Sequence, residues 1–86
     1  MKVLVDSVDN EGLEAFIGKP ICIFCMSYIY AGILVGVKAS CVKLSEAVIV
    51  YETGPFNESG WKDAQALPGD CHYIQTSSIE SFGGVK

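Results

Sequence analysis

Positive charge is scarce in this chain. Six basic residues stand against ten acidic ones, a net charge of −4, which disfavours strong unspecific attraction to a phosphate backbone. Histidine is nearly absent too. His72 is the single copy, so a catalytic base or metal cluster would need partners that only the fold could assemble. Glu11, Glu14, Asp63 and Asp70 read as solvated charges, and Cys71, next to His72, would face away from it on a strand. No glycine-rich phosphate loop is present, because Gly32 and Gly36 lie inside a strand pattern rather than between a strand and a helix. The chain is therefore expected not to be an enzyme and to need no cofactor. Long apolar runs are lacking as well: Ser27, Gly32 and Gly36 interrupt the longest, so no membrane-spanning segment is expected. The start, Met1-Lys2-Val3-Leu4-Val5-Asp6, reaches an acid before the roughly 7 apolar residues of a signal peptide. A cytoplasmic protein with no membrane partner is the expectation.

Eighty-six residues, half of them hydrophobic, suit one domain. A chain this short buries only about 60% of its unfolded surface, so oligomerisation would help it. Four cysteines, Cys22, Cys25, Cys41 and Cys71, invite a zinc or disulfide reading. Cys22 and Cys25, however, sit in Ile21-Cys22-Ile23-Phe24-Cys25-Met26, a strand pattern in which residues three apart point to opposite faces. Small hydrophobic filling in a reducing compartment is the better reading, with no metal.

The central run Tyr28 to Tyr51 carries the most structural information. Tyr28, Tyr30, Gly32, Leu34 and Gly36 share one strand face, while Ile29, Ala31, Ile33, Val35 and Val37 share the other. Glycines at alternate positions mark sharp coiling or the close approach of another backbone. Around this run the pattern predicts a short helix over about 9–17, capped by Asp9 or Asn10. Strands follow at about 20–26, 28–37, 41–53, 70–76 and 79–82. In the third strand Val42, Leu44, Ala47, Ile49 and Tyr51 are available to a core, and a change of phase near Glu46 predicts a bulge. Lys43, Ser45 and Glu46 read as wet. Residues 54–69 read as a variable, ordered loop in which Phe56 and Trp61 act as anchors or as a contact surface for a partner protein.

A helix followed by five short antiparallel strands, with an excursion between the third and fourth, resembles the Sm and Sm-like (LSm, Hfq) family. Gly18-Lys19-Pro20-Ile21 is similar to the family's entry into strand one. Tyr30-Ala31-Gly32-Ile33-Leu34-Val35-Gly36-Val37 with Cys41 to Ala47 resembles its first motif, and Tyr73-Ile74-Gln75-Thr76-Ser77-Ser78-Ile79 its second. The resemblance implies a mainly β fold, a strongly bent five-stranded antiparallel small barrel of Sm-like or SH3-like type over residues 1–86, in a divergent, phage-like member. It also implies a homo-oligomeric ring in which the fourth strand of one subunit pairs with the fifth of the next, through Tyr73, Ile74, Ile79 and Phe82. Single-stranded RNA would then meet loop residues near the pore. At those positions the family's Asp and Asn are replaced by residues within Lys38-Ala39-Ser40-Cys41, and its Arg-Gly by Gln75-Thr76. Lys38, Ser40, Gln75 and Ser77 are the candidate RNA contacts. The alternative is a similar barrel used as a structural or protein-interaction ring, without RNA.

Overall fold

The computed structural model describes residues 12–85. Six strands form one antiparallel sheet: β1 Pro20–Cys25, β2 Ile29–Val37, β3 Cys41–Glu52, β4 Asp63–Ala66, β5 Cys71–Gln75 and β6 Ile79–Gly83. Five of them fall where the apolar alternation places them. The sixth, β4, lies inside the segment read as a loop; its sequence Asp-Ala-Gln-Ala offers too little apolar contrast to announce a strand. The helix expected over about 9–17 is a correction. In its described part it is a five-residue 3-10 turn, Gly12–Phe16, and residues 9–11 with the cap lie outside the described residues. Gly12 has φ of +72°, incompatible with a continuing right-handed helix.

The order β4-β3-β2-β1-β6, with β5 also on β3, follows from a division of labour along β3. Its first half, Cys41 to Ser45, pairs with β5, and its second half, from Val48 to Glu52, pairs with β4 on the same edge. The joint between the halves is the bulge expected near Glu46. Ala31 faces Val48 but Ile33 faces Ser45, so two residues of β3, Glu46 and Ala47, oppose the single Gly32 of β2. Glu46 absorbs the extra residue at φ of 50°, the only positive φ on a non-glycine among the described residues. Opposite it, a Cβ on Gly32 would lie 2.8 Å from the Ser45 carbonyl oxygen and 3.2 Å from the Ala47 Cα, so the close approach requires glycine there. Gly36 is different: its Cβ would meet nothing within 4 Å.

Curvature follows from connectivity. Between β5 and β6 the sheet order interposes β3, β2 and β1, so on a flat sheet the two would lie roughly 19 Å apart at about 4.8 Å per step. Only the 3-10 turn Thr76–Ser78 joins them, and so short a link reaches at most about 14 Å. The sheet must curl. It does not close, which corrects the expected barrel: among the described residues no ladder joins β5 to β6. Backbone bonds from the turn bind both flanks instead, Thr76 N–H donating to the Ser40 carbonyl at 3.0 Å and Met26 N–H to that of Ser78 at 3.1 Å.

Inside the curl Ile21, Ile23, Leu34, Val42, Leu44, Ala47 and Ile74 form the core. Of the residues expected there from β3, Tyr51 is instead 54% exposed, and Val50 is buried. Tyr51 sits at a register shift of the β3–β4 ladder, which steps from Val50–Ala64 to Glu52–Asp63 and leaves it unopposed.

Candidate nucleic-acid interface

The β2–β3 hairpin loop and the turn after β5 meet at one end of the sheet. Register accounts for the meeting: Cys41 opposes Gln75 in the ladder, so the residues just before Cys41 and just after Gln75 emerge side by side. Thr76 Oγ1 donates to the Ala39 carbonyl at 2.6 Å, and Thr76 N–H bonds Ser40. Together these fasten the loop to the turn. The fastened rim bounds a shallow depression of about 660 Å³, lined among others by Ser40, Gln75 and Ser77. Three of the four RNA contacts expected from sequence thus share one concavity. Lys38, the fourth, lines an adjoining depression of about 230 Å³ with Lys43 and Tyr73. Thr76, at the position where the second motif resembled above has glycine, ties the rim together.

From sequence, Tyr73 is expected at a subunit interface and Lys43 on a wet surface. They oppose one another in the β3–β5 ladder, and Lys43 Nζ sits 5.7 Å from the centroid of the Tyr73 ring. Tyr73 is 60% exposed and borders both depressions. The signal was available: strand pairing that sets Cys41 against Gln75 necessarily sets Lys43 against Tyr73.

The other expected interface residues divide. Ile74 is 5% exposed and packs its side chain into the core. Ile79 is half-buried against the same core, and the exposed Phe82 ring meets Phe16 edge-on at 6.1 Å. Backbone is what the two strands do offer. Among the described residues β5 pairs only with β3 and β6 only with β1, leaving an outer edge on each.

Where β5 and the end of β1 approach without pairing, a cleft of about 230 Å³ opens, lined by Cys25, Tyr28, Tyr30 and His72 among others. The His72 and Tyr30 rings stack at 5.8 Å. Burial pushes the Cys25 thiol up, with a smaller contribution from the Glu80 carboxylate. Burial likewise raises Cys22 to about 11. Both therefore stand as neutral thiols near pH 7, poor nucleophiles and poor metal ligands. All four cysteines are free, and among the described residues no group of three or more His, Cys, Asp or Glu could hold a metal ion. No helix among them is long and apolar enough to cross a membrane.

The excursion between β3 and β5 has its own surface. Phe56, 60% exposed, tilts against Phe24 at 6.4 Å. Trp61 is half-buried and lines a depression of about 460 Å³. Lys62 reaches Glu52 at 3.7 Å, but both side chains are mostly exposed, so the pair contributes little.

No family model, curated protein or solved structure matches the chain.

Proposed function

We propose that the chain is a divergent Sm-like module that joins identical copies into a ring and presents its fastened rim to single-stranded RNA in the cytoplasm. The observation that carries this reading is the pair of outer edges, on β5 and β6, borne by strands consecutive in sequence and linked by three residues. An unpaired edge is a template for another strand. When one subunit's β5 meets the next subunit's β6, the contact is head to tail and closes into a ring if the rotation permits. Rings built this way repeat the rim around one axis, and repetition turns a weak local site into a stronger composite one. Overall acidity does not oppose this, because no acidic residue lines either rim depression.

Light scattering coupled to gel filtration tests the assembly. The expected mass is that of three or more 9.2 kDa chains, and a 9.2 kDa particle at micromolar concentration would sink the ring. Labelled U-rich and A-rich RNA tests the ligand, with binding expected to weaken in Lys38→Ala and Gln75→Ala. A second reading, a ring for protein contact, is favoured by the exposed Phe56 and the Trp61 depression. It would be preferred if RNA binding is absent and a protein ligand is lost on Trp61→Ala.

A further inference from the structure

We infer that Tyr73 is a nucleobase-stacking platform, with Lys43 and Lys38 as its phosphate contacts, so that the rim binds a single strand by stacking as well as by hydrogen bonds. The inference deepens the RNA reading above and rests on it.

The chain has few cations, all lysines, and their placement is uneven. Lys62 lies beside Glu52, whereas Lys38 and Lys43 flank an exposed aromatic ring in a depression that no carboxylate lines. In a protein of net charge −4 such a spot is a local reversal of sign. An exposed tyrosine is the second element. Rings on which bases stack, beside cations that follow the backbone, are how single strands are held without a strong overall positive charge. Lys43 attends one face of the ring. On its outer side β5 has no paired strand among the described residues, so no strand blocks access from there. Ser40, Gln75 and Ser77 line the same depression as the Tyr73 ring and supply donors and acceptors for a base edge. Gln75 provides both in one amide.

The site is compatible with assembly. Strand side chains stand roughly perpendicular to their sheet, so a neighbouring subunit that pairs with the backbone of β5 leaves the Tyr73 ring above the joint. Tyr73 is then part of the ligand surface rather than of the subunit contact for which sequence reasoning chose it.

Fluorescence anisotropy with labelled eight-nucleotide U, A and T oligomers, at two salt concentrations, tests the proposal. Tyr73→Leu is expected to weaken binding roughly 5- to 150-fold, the usual cost of losing one base stack, while Tyr73→Phe retains it. Lys43→Ala should flatten the salt dependence by about 0.7 in the logarithmic slope, one phosphate's share for a single strand. If RNA binds and Tyr73→Leu stays within two-fold of the parent, the stacking role is overturned and the RNA reading survives. If only DNA binds and Tyr73→Leu abolishes it, the platform stands and the RNA reading falls. No binding by any oligomer overturns both. Should Tyr73→Leu fail to fold, the Tyr73 ring protons of the unaltered protein provide the measurement. An upfield shift on adding oligomer supports stacking, and unmoved resonances at saturation exclude it.

Discussion

Two residues face each other across the bulge between β2 and β3, and each breaks an ordinary rule. Gly32 does so by having no side chain in a buried strand; Glu46 does so by adopting a left-handed backbone. Substituting Gly32→Ala drives a methyl group into the Ser45 carbonyl, a backbone atom that cannot rotate away. A loss of about 1–3 kcal/mol is expected, read as a fall in thermal midpoint of several degrees or more. Glu46→Gly should act in the opposite direction, by up to about 1 kcal/mol, because glycine occupies that region without the Cβ penalty. A stable Gly32→Ala would contradict the close approach itself. Both positions were visible in sequence, the glycine by its alternation with Gly36 and the bulge by a slip in phase. Only geometry separates the two glycines, since alternation cannot tell a crowded position from an open one.

At the level of elements, the 3-10 turn after β5 holds the two ends of the sheet within reach of one another. Thr76 is its fastening, with both its backbone amide and its hydroxyl bonded to the β2–β3 loop. Thr76→Val keeps the shape and removes one of these bonds. A loss of about 0.5–1.5 kcal/mol in urea unfolding is expected, with faster hydrogen exchange at the Thr76 amide as the loop loosens from the turn. Thr76→Ser should restore the bond and most of the protection. An unchanged exchange rate in Thr76→Val would show that the backbone bond alone fastens the rim. The strands were legible because buried alternation is a strong signal over nine or twelve residues. The meeting of loop and turn was legible only through resemblance, and β4 was not legible at all. Its pairing is decided by the long partner it lies against, not by its own residues. The Lys43–Tyr73 contact was missed for a related reason: each residue was read within its own strand, and the contact exists only between strands.

Taken whole, the molecule is a small curled sheet that stops short of closing, with exposed apolar side chains such as Val35, Tyr73 and Phe82 still at its surface. A domain of this size is marginal on its own, and association that binds only the folded form adds stability by mass action. If copies join edge to edge, the thermal midpoint should therefore rise with protein concentration, by an amount measurable between about 1 and 100 µM. A midpoint independent of concentration over that range, with a particle mass of one chain, would place all of the stability within the single subunit.

The sharing of one edge of β3 between two partners has a consequence for how such a chain can change. Whatever happens past Glu46 is relayed to β4 and the segment before it, while whatever happens ahead of Glu46 is relayed to β5 and the rim. Lengthening the segment between Glu52 and Asp63 costs little, since doubling a flexible loop adds only about 0.6 kcal/mol of closure entropy. The extra residues would be accommodated at the far half of the strand. New surface can thus be grafted onto this scaffold at one end while the opposite end keeps its geometry, and the two can be altered independently.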